Sequence, residues 1–267
     1  MRKGTLAVVG TGIESTGQLT PAARREIERA QQVFYLVTEP LTEASLRALN
    51  PQSESLQSLY GRGKHRLKTY AAMVDRIMEA VRTGKRVCFA LYGHPGVFAT
   101  AAHAAVRIAR SEGYQATMLP GVSAEGCLIA DLGIDPAANG WVTFEATDFL
   151  LRRRKADPSV GLVLWQVGVL GQFDAATGAI NRRGLKVLAD ELLKLYPRGH
   201  RGVLYEASSL PGFPPVIDEV ALEKLHLAEL SRITTLYLPP SEIAPLDERM
   251  VRRLGIKAKD RIRCLQE

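Results

Sequence analysis

Cysteines, long apolar runs and histidine clusters are scarce in this chain. Its three cysteines, Cys88, Cys127 and Cys264, are widely spaced, so there is no CxxC metal pair and no even set for a disulfide framework. None of the five histidines lies at metal-ligand spacing from Cys, Asp or Glu. The longest apolar runs, such as GLVLW after Ser159, are too short to span a bilayer, and no signal-peptide segment opens the chain. We therefore predict a cytoplasmic protein with reduced thiols and no metal.

Acidic residues are outnumbered by basic ones. Lys and Arg total 35 against 28 Asp and Glu, which gives a formal net charge of +7 and a pI near 9.4. This balance favours anionic partners, and nucleic acid is one candidate. However, the densest basic run, LRRRKAD at 151–157, has no interleaved aromatics, and no nucleic-acid-binding signature accompanies it. We interpret the run as a solvated loop and predict no nucleic-acid partner and no membrane partner.

Apolar, β-branched segments alternate with amphipathic ones along the first half of the chain. We predict strands at 5–10, 32–37, 86–93 and 115–121, and helices from Pro21, from Thr42, after Tyr60, from Thr100 and from Ser123. This alternation predicts parallel βαβ packing. A second set of strands follows with only one or two long helices, at 141–146, 161–168, 201–208 and 233–240. We expect two α/β lobes, 1–120 and 121–240, a hinge within 119–140 and a basic tail at 241–267.

Three βα turns carry unusual residues at the carboxyl ends of strands, where open α/β sheets bind ligands. The first contains Gly10 and Gly12 but lacks the third glycine of a dinucleotide fingerprint. The second is LYGHPGVFAT, and the third is LPGVSAEGC, in which the chain bends at Gly121 and Ser123 is a candidate helix N-cap. Each turn alone is compatible with an ordinary tight connection. Three of them in one half of the chain favour a ligand site.

A cationic segment with a tyrosine at each end, YGRGKHRLKTY, occupies residues 60–70. No carboxylate occurs between Ser55 and Val74. The segment leads into a predicted helix whose apolar stripe recurs at three- and four-residue steps: Leu67, Tyr70, Ala71, Val74, Ile77, Met78 and Val81.

The spacing within this segment favours a cluster of two phenols and a guanidinium. Arg66 and Tyr70 are four residues apart, so they project from one face of the helix. Gly61 and Gly63 allow the preceding loop to fold Tyr60 towards them. The alternatives are a core tyrosine whose hydroxyl finds a partner, and an arginine that lies along the helix with its head in water.

The order of these motifs resembles the tetrapyrrole-methylase-like methyltransferases. The resemblance is carried by VVGTG, LTPAARREIERAQQVFYLV, YGHPGVF, LPGVSAE and DLGIDP, and it covers most of residues 4–240. It implies an α/β fold of two lobes that bind S-adenosylmethionine in the cleft between them. The sequence departs from the tetrapyrrole enzymes in its first loop and at His94, where GHP replaces Gly-Asp-Pro. Both departures argue against a macrocyclic substrate.

A narrower resemblance is to the borosin α-N-methyltransferases, which methylate backbone amides of a ribosomally made peptide. It is carried by GTGIESTGQLT, YGRGKHRLKTYAAM, FALYGHPGVF, SEGYQATMLPGVSAEGCLIADLGIDP, FEATDFLLR and LVLWQVG. A C-methyltransferase acting on a tetrapyrrole is the alternative enzyme. His94 as a capping or packing residue, and a catalytically idle binding module, are the alternatives without chemistry.

The chemistry of amide methylation explains why such residues would be grouped. An amide nitrogen is a poor nucleophile, because its lone pair is delocalised into the carbonyl. A base that removes the proton and a fixed cation that stabilises charge on the oxygen would both help. The borosin resemblance implies that Tyr70 is the base, Arg66 the electrostatic stabiliser and phenol activator, and Tyr60 the oxyanion donor, while Tyr92 orients the methyl group.

The resemblance also implies the cofactor contacts. Besides Tyr92, the loop of Gly93, His94, Pro95, Gly96, Val97 and Phe98 is expected to wrap the methionine portion. The positions expected around the adenosine and ribose are Ser123, Ala124, Gln166, Tyr205, Ala207 and Thr235.

The expected partner is a separate precursor. Fused borosin enzymes carry the peptide on a C-terminal extension, whereas the sequence here ends at RIRCLQE. We therefore expect a split system, in which a precursor with a leader and a core is methylated in trans by a homodimer. An acidic leader would suit the basic residues of the tail, although a solvated tail is the alternative: Arg249, Arg252, Arg253, Lys257, Lys259, Arg261 and Arg263.

Overall fold

The computed structural model describes residues 3–15, 17–61, 64–173 and 179–257. Gly63, Cys264 and the tail residues beyond Lys257 therefore lie outside the described ranges. The chain forms two compact units, and it passes from the first to the second between Leu132 and Gly133. The first unit also contains the described residues of 172–179 and of 206–216, while the rest of the chain after Leu132 forms the second unit.

The first unit is built on a five-stranded sheet in the order β3-β2-β4-β1-β5. Its strands are β1 Thr5–Gly10, β2 Gln32–Leu36, β3 Ser53–Ser55, β4 Arg86–Leu91 and β5 Gln115–Met118. All neighbouring pairs are parallel, and Leu91 lies opposite both Gly10 and Leu36. The strands therefore end at one edge of the sheet, and the predicted parallel packing is confirmed.

Helices cover both faces of this sheet. They are α1 Pro21–Arg29, α2 Pro40–Leu49, α3 Arg66–Arg82 and α4 Thr100–Ser111. A fifth helix, α5 Ala124–Leu132, also belongs to this unit. Val8 and Phe89 face the cluster that contains α3 and α4, whereas Val9 and Cys88 face the cluster that contains α1 and α2. Successive strand residues point to opposite faces, so the nearly continuous apolar strands bury both.

The predicted apolar stripe of α3 is right in its last three turns and wrong in its first. Val74, Ile77, Met78 and Val81 are buried, together with Thr69, Met73 and Ala80. Leu67 is 62% exposed and Ala71 is also exposed, while Tyr70 is partly buried against the core. The buried face of the first turn runs through Thr69 instead. Leu67 is apolar and lies at helical spacing, but it does not face the core.

The second unit holds a mixed sheet in the order β6-β7-β10-β8-β9. Its strands are β6 Trp141–Glu145, β7 Gly161–Trp165, β8 Arg201–Glu206, β9 Val216–Ala221 and β10 Thr235–Leu238. β6 and β7 are parallel, whereas β10 runs antiparallel to both β7 and β8. The helices are α6 Pro136–Asn139, α7 Ala146–Leu151, α8 Arg182–Leu192 and α9 Glu248–Arg253. Leu185, Leu188 and Leu192 of α8 belong to the buried core of this unit.

The basic run at 151–157 lies on the surface, as predicted. Arg152 and Arg154 both donate to the carboxylate of Asp148, at 2.7 and 2.9 Å. A nearby acid thus offsets part of the charge. Across the described part of the chain, no helix is long and apolar enough to cross a membrane.

Candidate functional site

The three glycine turns meet at the edge of the first sheet where its strands end. The N–H of Gly93 donates to the carbonyl of Gly12 at 2.8 Å, and the two residues form an isolated antiparallel bridge. A Cβ on Gly10 would lie 2.1 Å from the carbonyl oxygen of Gly93. A Cβ on Gly121 would lie 3.5 Å from the same oxygen. The structure therefore brings all three turns together, which the sequence could only suggest.

These contacts require glycine for two different reasons. Gly10 has no space for a side chain, because the second turn's backbone occupies that position. Gly12 and Gly93 have φ values of +81° and +70°, which L-residues with a Cβ rarely adopt. The result is a direct backbone contact between the first two turns.

The loop from Gly93 to Phe98 is held by its own side chains. The Nδ1 of His94 accepts from the N–H of Gly96 at 2.9 Å, and the carbonyl of Gly96 lies 2.9 Å from Nε2 of His103. His94 is thus the turn-capping residue that the sequence left open as an alternative. Phe98 closes the loop with φ of +51°, a left-handed conformation in a residue that has a Cβ. Strain of this kind concentrates at functional sites.

Tyr92 lies between β4 and this loop. Its N–H donates to the carbonyl of Leu36 at 3.1 Å, so its backbone continues the sheet by one residue. Burial, followed by the charges of Cys127 and Glu39, raises the pKa of the Tyr92 phenol to about 12. The side chain is therefore a neutral phenol at physiological pH.

Tyr60, Arg66 and Tyr70 are brought together as predicted. Burial, the charge of Tyr70 and a hydrogen bond with Tyr70 raise the pKa of Tyr60 to about 12, while the Arg66 guanidinium acts in the opposite direction. Tyr60 and Tyr70 both pack on the edge of the first core cluster. A hydrogen bond joins the two side chains, and each phenol oxygen in it can donate or accept.

Residues that the sequence reasoning passed over fix this cluster in place. His65 is the N-cap of α3, and its Nδ1 accepts from the N–H of Leu67 at 3.2 Å. The Nζ of Lys64 donates to the carbonyl of Leu59 at 3.0 Å, which closes the loop that carries Tyr60. The N–H of Arg66 donates to the carbonyl of Phe173 at 3.3 Å.

Only the first two of these contacts have a sequence signal. A residue just before a helix is a candidate cap, and a lysine that follows a glycine-rich loop can reach back along it. The Phe173 contact joins positions far apart in the chain, and nothing local marks it.

The third turn leads into α5. The Oγ of Ser123 accepts from the N–H of Gly126 at 3.2 Å, so its predicted role as an N-cap is confirmed. Ala124 is the first residue of α5.

Three of the predicted cofactor positions lie at one end of the second sheet. Thr235, the first residue of β10, is paired with Tyr205 of β8, and both are buried. Gln166 directly follows β7 and adopts a left-handed conformation with φ of +62°. Ala207, a fourth predicted position, directly follows β8. Among the described residues, Phe98, Arg153 and Gln166 are the non-glycine residues with positive φ, and two of these three are predicted cofactor positions.

Within the described ranges, no group of three or more His, Cys, Asp or Glu side chains could hold a metal ion. The groups predicted for the site are backbone turns, phenols and a guanidinium.

A family model for the tetrapyrrole (corrin/porphyrin) methylases matches residues 5–213. The chain belongs to this family. The predicted fold, two α/β sheets of the tetrapyrrole methylase type, is confirmed. The match includes all three glycine turns and the Tyr60–Tyr70 segment.

Relatives within the family agree with the narrower resemblance. The chain is 43% identical over 263 residues to the methyltransferase/ribosomally synthesized cyclic peptide gymnopeptides precursor of Gymnopus fusipes, which covers 97% of this chain and 63% of that protein. It is 41% identical over 264 residues to a methyltransferase/ribosomally synthesized type I borosin cyclic peptide precursor of Coprinopsis marcescibilis, covering 96% and 68% respectively. The chain thus spans about two thirds of the length of these relatives.

The solved structures of the family show the fold. The uroporphyrin-III-C-methyltransferase of Thermus thermophilus superposes with a TM-score of 0.65 at 21% identity, over 92% of this chain and 99% of that one. The same enzyme complexed with S-adenyl homocysteine superposes with a TM-score of 0.59 over 88% of this chain and 97% of that one.

Proposed function

We propose that this protein is an S-adenosylmethionine-dependent methyltransferase that methylates backbone amide nitrogens of a ribosomally made borosin precursor peptide. The observation that carries the proposal is the grouping of Tyr60, Arg66 and Tyr70 in the same unit as the glycine turns of a methylase fold. The relatives support it, because their names join a methyltransferase to a cyclic peptide precursor.

The residues of the first unit fit the cofactor. The turns of Gly10, Gly93 and Gly121 pack closely together, and the predicted cofactor loop begins at Gly93. We propose that this loop, with Ser123 and Ala124, holds the methionine portion. Gln166, Tyr205, Ala207 and Thr235 are proposed for the adenosine and ribose. S-adenosylmethionine would supply an electrophilic methyl group on its sulfonium.

The phenols divide the acid–base work. A phenol that donates to its neighbour stabilises negative charge on that neighbour, and Arg66 adds a fixed positive charge. Tyr70 is therefore proposed to act as the phenolate: its own hydroxyl proton leaves to solvent before the transfer, and its oxygen then takes the amide proton and becomes the O–H of a neutral phenol. As the nitrogen loses its proton, charge moves onto the peptide carbonyl oxygen. Arg66 stabilises that charge, and the neutral Tyr60 hydroxyl can turn from Tyr70 to donate to the same oxygen.

Tyr92 is proposed to orient the methyl group. Its phenol is neutral and partly buried where β4 meets the cofactor loop, so its ring excludes water from the reacting atoms while its hydroxyl remains a hydrogen-bonding group. This role asks for no proton transfer.

The homodimer is proposed from the sequence resemblance, and supply of the peptide as a separate protein is part of the same proposal. The test therefore provides the precursor in trans. The protein is coexpressed with the small reading frame next to its gene, and methyl groups are located by fragmentation mass spectrometry. Methyl groups on backbone nitrogens are expected. Methyl groups only on side chains, or only on an added porphyrinoid, would contradict the proposed substrate.

Variants test the assigned residues. Tyr70→Phe and Arg66→Ala are each expected to slow methyl transfer about 10²- to 10⁴-fold, because they remove the base or its cation. Binding of S-adenosylhomocysteine, followed by calorimetry, should remain close to wild type. Tyr196→Phe in the second unit and Arg107→Ala on an exposed position of α4 serve as controls. Wild-type rates in both Tyr70→Phe and Arg66→Ala would show that these two side chains have only a structural role.

A further inference from the structure

Gln18 contacts two of the three glycine turns, and none of the roles considered above involves it. Its Oε1 accepts from the N–H groups of Ile13 and Glu14, at 2.7 and 3.1 Å. Its Nε2 donates to the Sγ of Cys127 at 3.7 Å. One amide thus satisfies two backbone donors of the first turn and reaches the helix that follows the third turn.

The same side chain also packs against Gly12. A Cβ on Gly12 would lie 2.3 Å from the Cβ of Gln18, so the two residues are in close contact. Gly12 in turn accepts the hydrogen bond from Gly93 that joins the first turn to the second. Gln18 is therefore linked to the cofactor loop through Gly12. None of the Gln18 side-chain hydrogen bonds described goes to that loop directly.

The Gln18 amide takes the place of a helix N-terminus, which this turn lacks. The loop after Gly12 is too long to place a helix N-terminus at the turn, because α1 begins only at Pro21. In the shorter turns of nucleotide-binding folds, the helix itself holds the backbone in position. Here the backbone donors of Ile13 and Glu14 need another acceptor, and the Gln18 carbonyl supplies it.

We infer that Gln18 is a positioning residue of the S-adenosylmethionine site, which holds the first glycine turn in the conformation that joins it to the cofactor loop. The inference rests on the proposed function, since it takes the glycine turns as the cofactor site. It assigns the carbonyl oxygen of Gln18 the main part, because a backbone N–H bond to an amide oxygen is stronger than an N–H bond to a thiol.

The variants separate the two ends of the amide. Gln18→Leu and Gln18→Met remove the acceptor, whereas Gln18→Glu keeps an acceptor oxygen in the same place, and Cys127→Ala removes only the sulfur partner. Gln31→Leu is the matched control, because the Oε1 of Gln31 also accepts from a backbone N–H, that of Arg86, at 2.9 Å. That bond lies at the other edge of the sheet, where β4 begins.

Calorimetry with S-adenosylhomocysteine and backbone hydrogen exchange are the readouts. Gln18→Leu and Gln18→Met are expected to bind about ten-fold more weakly, a loss of about 1.4 kcal/mol. The amides of Ile13 and Glu14 should exchange about ten-fold faster in these variants. Gln18→Glu, Cys127→Ala and Gln31→Leu should stay within about three-fold of wild type in affinity.

The outcomes distinguish the inference from the proposed function. Failure of the wild type to bind S-adenosylhomocysteine would overturn both. Wild-type affinity in Gln18→Leu and Gln18→Met would overturn the role of Gln18 alone. Equal weakening in Gln18→Glu and Gln18→Leu would also overturn it, because the acceptor oxygen would then not be the cause. If Gln18→Leu does not fold, the comparison of Gln18→Met with Gln18→Glu decides.

Discussion

At the scale of single residues, Gly10 offers the sharpest test of the contact between the first two glycine turns. A methyl group at this position would lie 2.1 Å from the Gly93 carbonyl oxygen and 2.9 Å from the Cδ of Pro95. Moving the second turn away from this methyl group would break the bridge between Gly93 and Gly12. We expect Gly10→Ala to lower S-adenosylhomocysteine affinity more than ten-fold, or about 1.4 kcal/mol at least, measured by calorimetry.

A glycine with free space is the control for this substitution. A Cβ on Gly126, inside α5, would meet only the Oγ of Ser123 at 3.9 Å. Gly126→Ala should bind normally and raise the unfolding free energy by about 0.5–1 kcal/mol, because alanine is the better helix former. Equal effects of the two substitutions would mean that the close approach at Gly10 has no bearing on the ligand.

The residues of the site differ in how far the sequence could predict them. The grouping of Tyr60, Arg66 and Tyr70 could be predicted, because helical spacing and loop glycines are local signals that span only a few positions. Gln18 was within reach in principle, but an amide in a loop has no pattern of its own. The Phe173 carbonyl could not be found, since a backbone acceptor has no residue-type signature.

At the scale of elements, the first turn of α3 places Arg66 and Tyr70, and His65 caps it. We expect His65→Ala to cost about 1 kcal/mol of helix stability. The rate of methyl transfer should fall about three- to ten-fold, while cofactor affinity stays unchanged. Rates with saturating cofactor measure the first effect, and calorimetry the second.

Two further variants at His65 separate capping from charge. Serine restores the cap without a charge, so His65→Ser should recover the rate. Aspartate also caps, but it places a carboxylate beside Arg66 in a segment that has none, so His65→Asp should restore stability and not the rate. Recovery of the rate by both variants would show that the absence of acids here is incidental.

The turn after β7 holds Gln166 in the left-handed region, where a Cβ is unfavourable by about 1 kcal/mol. Gln166→Gly should therefore raise the thermal midpoint slightly while cofactor affinity falls. Arg153→Gly is the matched control, because Arg153 has a φ of +47° in the same unit and no predicted contact with the cofactor. It should gain stability with no change in affinity. A similar affinity in both variants would remove Gln166 from the cofactor site.

The prediction of elements was reliable where apolar periodicity was long. The helices at Pro21 and Thr100 begin where the sequence indicated, and α2 begins two residues before the predicted Thr42 because Pro40 suits a first helical position. The strand β3 was missed because it is short and its sequence, SES, is polar. The strand β9 was missed because four of its six residues are exposed, so it shows no core-facing alternation.

At the scale of the whole molecule, buried tyrosines make stability depend on alkaline pH. Burial is the largest cause that raises the pKa of Tyr60, Tyr92 and Tyr196, each to about 12. Below the ordinary pKa of 10 these phenols are neutral in both the folded and the unfolded chain. Between pH 10 and about 12 the unfolded chain ionises first, so the unfolding free energy should fall as pH rises through this window.

Urea unfolding at a series of pH values from 8 to about 11.5 measures this loss. Tyr196→Phe should flatten the decline. At pH 7 the same variant should be neutral or stabilised by up to about 1 kcal/mol, because the buried Tyr196 hydroxyl has no hydrogen-bond partner within the described chain. An unchanged slope in the variant would show that Tyr196 does not contribute.

The first unit is built from stretches that are far apart in the chain, so the ribosome synthesises its parts at different times. Arg66 is made early, but the Phe173 carbonyl that accepts its N–H is made about 100 residues later, on the order of 5 to 20 s at usual rates of translation. The carbonyl of Ser209, which accepts from the N–H of Ser15, emerges later still. Until these segments are synthesised, the first turn of α3 and the first glycine turn each lack one backbone hydrogen bond of the folded unit.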